Sequence, residues 1–328
     1  MTTGTVTPEP LPAQAPGLGR DLRVLSMTWE AEGVLSVVLA DPVGRALSPW
    51  NPGAHVDVDL APGLRRSYSL CGDPHDDRTL TIAVLHEPAG RGGSDFVHTR
   101  LRPGALLPVS APRNNFELVD APGYLFIAGG IGITPLLPMI SAVQERGARW
   151  RLLYGGRRRA SMAFFERIAH YGDRVFVWPE DEFGLLNLDE AFQATGSSTI
   201  VYCCGPEPLL AAAEERCTAY GRVLRLERFA AKPQADTGGP TSFQVICQRS
   251  GVQATVGPDQ SVLAVLEAAG LPVAYSCQDG ICGTCETAVI AGDVEHRDSV
   301  LSEAERQAGD TMFICVSRCR SPRLVLDL

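Results

Sequence analysis

Four cysteines near the C-terminus constrain this chain more than any other feature of its sequence. Cys277, Cys282 and Cys285 follow one another with C-x4-C-x2-C spacing, and 29 residues separate Cys285 from Cys315. This is the spacing of a plant-type [2Fe–2S] centre, in which four thiolates hold two irons. The intervening Gly280, Gly283 and Thr284 keep bulky side chains away, so that backbone N–H groups can approach an anionic cluster. The sequence predicts such a cluster on these four cysteines.

Zinc and disulfides are the competing uses of these cysteines. A structural zinc site usually pairs two short C-x2-C units, and here there is one. A secreted disulfide scaffold would be short, whereas this chain has 328 residues, no charged and apolar leader, and cysteines grouped near one end. We therefore expect a reducing, cytoplasmic location. Cys319 is interpreted as a nearby cysteine that does not bind the cluster. Cys217 and Cys247 are interpreted as small buried hydrophobic residues.

Charge and hydropathy limit the partners. The net charge of −9 argues against nucleic acid, which requires a basic surface. No apolar run reaches the ~18 residues that span a bilayer, so no membrane segment is expected. Residues 234–328 hold six basic and twelve acidic residues, a net −6. This acidity suits docking to a basic face of an electron acceptor, or serves only solubility.

The chain length suits two or three domains, and the pattern divides it accordingly. Residues 1–19 are a Pro-rich, disordered tail. Residues 20–118 show short strands between Pro-Gly turns, among them an alternating, half-buried strand at 54–60, and predict an antiparallel β-barrel. Residues 119–229 alternate apolar strands with helices and predict a parallel α/β sheet. A linker at 230–242 precedes a cysteine-rich C-terminal domain at 243–328.

The predicted barrel carries two motifs suited to a flavin. Arg66, Ser67, Tyr68 and Ser69 offer a phosphate partner, a flat ring and hydroxyls at a strand end. A second motif, at 91–94, combines glycine N–H groups with a hydroxyl at a predicted helix start, which suits phosphate. It comprises Arg91, Gly92, Gly93 and Ser94. Alone, the first motif also fits an edge strand with a salt-bridged arginine.

The α/β region carries two loops suited to a nicotinamide nucleotide. The first follows a buried strand at 124–128 and contains Gly130, Gly132 and Thr134, with Thr134 as the expected N-cap of a helix over 135–146. The second, at another strand end, contains Cys204, Gly205 and Pro206. Three arginines at 157–159 favour a 2′-phosphate and hence NADPH, or else form a solvated charge run.

At this point the chain resembles the phthalate dioxygenase reductase family, which includes the vanillate demethylase reductases. The resemblance covers residues 20–328 and rests on motifs in the same order. They are RSYSL (66–70), GRGGS (90–94), GGIGITP (129–135), YGG-RRR (154–159), YCCGP (202–206), ERF (227–229), CQDGICGTC (277–285) and ICVSR (314–318).

The resemblance implies FMN, NADH as the usual donor and a C-terminal ferredoxin domain, for which we expect a β-grasp fold. We expect the chain to be a monomer. It implies that Phe229 packs near the flavin and that Ser69, Cys204 and Phe229 act at the hydride-transfer site. Some relatives carry a phosphate-binding Lys where this chain has Leu85-His86, so His86 or Arg91 takes over or phosphate binding is weaker.

The implied function is an electron-transfer reductase, in which electrons run from NAD(P)H through FMN to the [2Fe–2S] cluster and then to a Rieske-type oxygenase or demethylase. A cytochrome P450 acceptor is the alternative. Two alternative functions belong to other classes of protein. The chain is then a redox-sensing module without catalytic turnover, or a ferredoxin whose N-terminal region is only structural.

Overall fold

The computed structural model describes residues 19–231 and 242–328. Most of the predicted tail, and residues 232–241 of the predicted linker, lie outside the described residues. Three main sheets are present, which follow one another along the chain, and a separate two-stranded pair lies in its last part. Within the described ranges no helix has both the length and the apolar character needed to cross a membrane.

The first sheet is built from six antiparallel strands. They are β1 Arg20–Ala31, β2 Val34–Ala40, β3 His55–Ala61, β4 Leu64–Ser69, β5 Thr79–Leu85 and β6 Leu106–Val109, in the order β4-β3-β6-β1-β2-β5. A bridge between Leu70 and Ile82 brings the two outer strands together. Helix α1 (Gly93–Thr99) begins after Gly92, whose φ of 79° lies in the left-handed region that favours glycine.

Strand β3 corrects one expectation. Its apolar residues face a core that includes Val56 and Val58, as alternation predicts. The opposite face is not solvated, however, since His55 and Asp57 are also buried. The Asp57 carboxylate forms an ion pair with the Arg113 guanidinium at 2.6 Å. The prediction of a half-buried strand is therefore wrong, because the rest of the chain covers its polar face.

The second sheet is parallel throughout, in the order β11-β10-β7-β8-β9. Its strands are β7 Gly123–Gly129, β8 Arg149–Gly156, β9 Val175–Pro179, β10 Ile200–Cys204 and β11 Leu224–Glu227. Its helices are α2 Leu136–Glu145, α3 Phe165–Ala169, α4 Glu180–Phe183, α5 Leu188–Gln193 and α6 Glu207–Ala219. The carboxyl ends of these strands meet at one edge, where sheets of this kind bind ligands.

The predicted helix at 135–146 is confirmed as α2, but Thr134 is not its N-cap. A 3-10 turn over Gly130–Ile133 runs straight into the helix, so Thr134 already has helical angles. Its hydroxyl donates back to the carbonyl of Ile131 at 2.9 Å. Pro135 occupies the N-cap position, and its side chain makes no capping hydrogen bond.

The third sheet has the order β13-β12-β18-β14-β16, with a separate pair β15-β17. Its strands are β12 Phe243–Cys247, β13 Gln253–Val256, β14 Glu286–Ala291, β15 Val294–Glu295, β16 Thr311–Phe313, β17 Arg318–Cys319 and β18 Arg323–Leu326. Helix α7 (Val262–Ala268) is capped by Ser261, which accepts from the N–H of Ala264 at 3.1 Å. Helix α8 (Glu303–Ala308) has a capping box.

The apolar cores show how the three sheets are joined. One core runs from Ala31 and Val34 of the first sheet into the second sheet, so these two sheets share apolar packing. The core of the third sheet contains only described residues from Phe243 onward. The third sheet therefore has no apolar core in common with the rest of the described chain.

Candidate redox site

The four predicted cluster cysteines converge in a buried loop. Cys277 contacts both Cys282 and Cys315, and Cys315 also contacts Cys285. All four side chains are at most 9% exposed. Backbone N–H groups point at the sulfurs, as when Asp279 donates to Cys277 Sγ at 3.3 Å. Such donors stabilise the negative charge of a thiolate-bound cluster.

The four cysteines match the ligand count of a [2Fe–2S] cluster, which takes two protein ligands for each iron. Their contacts run in a chain from Cys282 through Cys277 and Cys315 to Cys285. Cys319 contacts Ser321 and Arg323 instead, as expected of a bystander.

Arg66 lies in a position suited to a phosphate. Its guanidinium donates to the carbonyls of Arg65 and Arg91, and no carboxylate among the described residues pairs with it. The pKa of Arg66 is lowered, first because burial penalises its charge and second because Arg91 is close. A guanidinium without a carboxylate partner favours binding of an anion such as a phosphate. A Cβ at Gly93 would lie 2.6 Å from the Arg66 side chain, so a larger residue there would displace Arg66.

The other predicted phosphate and ring residues are placed as follows. Ser67 donates to Asp57 at 2.6 Å, and Ser94 lies within 3.0 Å of the Glu87 N–H. Tyr68 is half-buried at the outer strand of the first sheet. His86 stacks on His98 with ring centroids 4.8 Å apart, and it meets Asp95 at 3.5 Å. The buried Nε2 of His86 has no hydrogen-bond partner among the described residues, so a role of His86 at the flavin phosphate stays a prediction.

Ser69 and Cys204, which are distant in sequence, meet at Glu227. Ser69 donates to the Glu227 carboxylate at 3.1 Å, and Cys204 pairs with Glu227 across strands β10 and β11. Burial raises the pKa of Glu227 to about 8. The pKa of Cys204 is also raised, first by burial and then by Glu227. Cys204 is therefore a neutral thiol at ordinary pH.

Glu227 is the residue that sequence reasoning missed. The ERF motif contained it, but only Phe229 was singled out there. Glu227 could have been identified from its position at the end of an edge strand beside the Cys204 loop. Phe229 lies two residues further on and is 41% exposed, which leaves its ring accessible at this edge.

Burial of Glu227 predicts a pH-dependent stability. Its pKa of about 8 in the folded protein lies above the value of 4.5 of an exposed glutamate, so its contribution to stability is lost as pH rises toward 8. We expect the free energy of unfolding to fall by about 2.5 kcal/mol more in the wild type than in Glu227→Gln between about pH 6 and 9. Denaturant unfolding of the apoprotein measures this. Exposed Glu180→Gln should behave as wild type, and a wild-type curve parallel to that of Glu227→Gln would refute the burial argument.

The two predicted nucleotide loops pack directly on each other. A Cβ at Gly132 would lie 2.2 Å from the Cys204 carbonyl oxygen, and one at Gly129 would lie 2.6 Å from Pro206. A Cβ at Gly205 would come within 2.9 Å of Gly129. These glycines therefore permit the close approach of the loops after β7 and β10. Gly130 instead faces open space with a φ of 55°, so its backbone is accessible.

His55 adds an unpaired polar atom next to this site. It lies opposite Ser69 in the β3–β4 pair and is 5% exposed. Burial and Arg113 lower its pKa to about 4, so the imidazole is neutral. Its Nε2 has no hydrogen-bond partner among the described residues. A buried polar atom in this state usually indicates a missing ligand or water.

Comparison with known proteins gives a consistent family. Residues 245–320 match the model of the 2Fe-2S iron-sulfur cluster binding domain. Phenoxybenzoate dioxygenase subunit beta of Ectopseudomonas oleovorans is 43% identical over 94% of this chain and 97% of its own length. The structure of phthalate dioxygenase reductase matches with 34% identity and a TM-score of 0.71, over 95% of this chain and 98% of that chain.

A longer protein also matches. An intact type IV self-sufficient cytochrome P450 monooxygenase is 41% identical with a TM-score of 0.88. The match covers 98% of this chain but 43% of the P450 chain, so this chain spans less than half of that protein.

Proposed function

This chain belongs to the phthalate dioxygenase reductase family, and from that premise we propose that it passes electrons from NADH through FMN and a [2Fe–2S] cluster to an oxygenase. It is an oxidoreductase with a 2Fe-2S domain, like the reductase components among its relatives. The observation that carries the proposal is the convergence of Ser69, Glu227 and Cys204 where the first two sheets meet, together with the contact of the cysteine loop with Arg65 and Asn115.

We assign the domains as first expected from the sequence. Residues 20–118 form the FMN-binding barrel, with the Leu70–Ile82 bridge supporting closure. Residues 119–229 form the nucleotide-binding domain, and 243–328 form a β-grasp ferredoxin domain whose cluster is held by the four converging cysteines. The residues on the first two sheets that contact the cofactors are those of the four motifs described above.

The protein residues have separable tasks. When bound, FMN accepts two electrons as a hydride from the nicotinamide and releases them singly. Arg66 neutralises the flavin phosphate, and Tyr68 packs on the ring system. Ser69 and the protonated Glu227 hold hydrogen bonds at the reacting edge, while neutral Cys204 and Phe229 shape the space for the nicotinamide. Orientation is thus the main contribution of the protein.

The surroundings of the three arginines support NADH over NADPH. Arg158 forms an ion pair with Glu32 at 2.8 Å, and Arg159 meets Glu182 at 3.5 Å. Arg157 has no carboxylate partner among the described residues, but its carbonyl accepts from the N–H of Asp181, where acidic helix α4 begins. The arginine charges are therefore largely compensated, and a 2′-phosphate would meet carboxylates.

This charge balance predicts an effect on donor selectivity. Glu182→Gln removes one carboxylate and frees Arg159, so it should lower KM for NADPH by about two- to fivefold, the range of an exposed ion pair. KM for NADH should stay unchanged. Steady-state reduction of ferricyanide measures both constants. Glu215→Gln, on α6, is the control, and equal changes for NADH and NADPH would contradict the assignment.

The general proposal is tested by extracting and identifying the flavin and by comparing NADH with NADPH in the reduction of an artificial acceptor. A P450 acceptor is the second candidate, because 43% of the chain of an intact type IV self-sufficient cytochrome P450 monooxygenase matches this fold with a TM-score of 0.88. Turnover with a purified Rieske-type oxygenase, compared with a P450, separates the two.

A further inference from the structure

The cysteine loop is held by polar groups of the first sheet and the segments that flank it. Arg65 donates to the carbonyl of Tyr275 at 2.8 Å, and Asn115 donates to that of Cys282 at 3.1 Å. Arg91 forms a two-pronged ion pair with Asp279. Each contact reaches the loop that carries the predicted cluster ligands.

The fit is close. A Cβ at Gly283 would lie 2.6 Å from the Asn115 amide nitrogen, so the loop and Asn115 approach each other where only glycine is accommodated. The third sheet has its own apolar core, which contains no described residue before Phe243. Its placement against the first sheet therefore depends heavily on these polar contacts.

Asp279 is central among these contacts because it contacts both Arg91, which follows the first sheet, and the predicted cluster ligand Cys277. Its carboxylate receives the Arg91 guanidinium, and its backbone N–H donates to Cys277 Sγ. Arg91 in turn accepts a hydrogen bond from Arg66 at its carbonyl. A short chain of contacts thus connects the predicted phosphate-binding arginine with a predicted cluster ligand.

We propose that Asp279 is a positioning residue, whose ion pair with Arg91 docks the cysteine loop where electrons pass from the flavin site to the cluster. This inference rests on the proposed function. Each electron passed leaves the reduced flavin and reduces one iron of the cluster, with no bond made or broken. Because such transfer weakens steeply with distance, loss of docking slows this step and leaves the preceding hydride step intact.

Partial exposure makes the ion pair sensitive to salt. The Arg91 side chain is 58% exposed and that of Asp279 is 29% exposed. Ions screen such a pair, with a Debye length of about 10 Å at 0.1 M and about 3 Å at 1 M. Docking and cluster reduction should therefore weaken as salt rises, and variants without the pair should not respond.

The chain offers a matched control. Arg249 and Asp327 form a similar two-pronged pair, with exposures of 71% and 33%, inside the third sheet and away from the first. Asp327→Asn removes a comparable carboxylate without affecting the interface. Any effect common to Asp279→Asn and Asp327→Asn reflects the iron–sulfur domain itself and not its docking.

The test uses the holoprotein with Asp279→Asn, Asp279→Arg, Asp327→Asn and the exchanged pair Asp279→Arg with Arg91→Asp. Amide hydrogen exchange over 275–283 and the radius of gyration from X-ray scattering report docking without turnover. Stopped-flow absorbance separates flavin reduction by NADH from cluster reduction.

We expect Asp279→Arg to speed amide exchange in the loop, expand the protein and slow cluster reduction by about tenfold, since like charges then meet at the interface. In Asp279→Asn the rate of cluster reduction should fall by about two- to fivefold, and this rate should no longer depend on salt. The exchanged pair should restore protection and compactness. Loop exchange and cluster reduction that stay at wild-type values in Asp279→Arg would overturn the proposal. If NADH fails to reduce the flavin even in the wild type, the proposed function itself is at fault.

Discussion

Replacing Cys315 with Ser should leave the protein without its [2Fe–2S] cluster, whereas replacing Cys319 with Ser should leave the cluster in place. Cys315 contacts Cys277 and Cys285 inside the loop, and a serine hydroxyl is a poor substitute for a thiolate ligand. Cys319 is equally buried but contacts Ser321 and Arg323. The two cysteines are four positions apart, so they form a matched pair.

Iron and acid-labile sulfide content measure this difference, together with the electron paramagnetic resonance signal of the reduced protein. Iron should fall from about two atoms per chain to near zero in Cys315→Ser. Flavin reduction by NADH should persist, because the proposed flavin and nicotinamide residues belong to the other two sheets. Full iron content in Cys315→Ser, or its loss in Cys319→Ser alone, would show that the ligand set is wrong.

Replacing Arg66 with Ala should release the flavin from the purified protein. Arg66 has no carboxylate partner among the described residues, and it lies beside a second arginine and Gly93. A charge-assisted contact with phosphate contributes about 1.5–3 kcal/mol, so flavin affinity should fall by roughly 10- to 100-fold. Fluorescence titration of the apoprotein with FMN gives this change directly.

Arg102→Ala is the control for Arg66→Ala. Arg102 also donates only to backbone carbonyls, those of Leu101 and Thr99, but it lies after α1, away from the paired arginines. It should bind FMN as the wild type does. Equal losses in both variants would indicate a general loss of stability, and unchanged affinity in Arg66→Ala would remove Arg66 from the phosphate site.

The elements of this molecule that could be predicted from the sequence are those specified by a few neighbouring residues. The loop with Cys277, Cys282 and Cys285 is set by short spacing, and α2 follows a glycine loop that marks where a buried strand ends and a helix begins. Strand β1 was missed although it is the longest at 12 residues. Its register shifts near Val24 and Trp29 break the period-2 pattern that identifies a strand.

Contacts made by folding were harder to predict. Thr134 resembles an N-cap by residue type, but the preceding 3-10 turn uses its hydroxyl. Glu227 becomes special only when β11 pairs with β10 and brings its carboxylate to Ser69. The sequence predicts Arg91 at the flavin phosphate, whereas its guanidinium pairs with Asp279, 188 positions away. Sequence spacing carries no information about such long-range pairs.

An anaerobic titration of the purified protein with NADH, followed by absorbance, tests the central claim most directly. A flavin takes two electrons and a [2Fe–2S] cluster takes one, so full reduction should require about 1.5 NADH per chain, with flavin and cluster bands both bleached. An endpoint near one equivalent with no change in the cluster band, or no bleaching at all, would contradict a single chain that carries electrons from NADH to an iron–sulfur outlet.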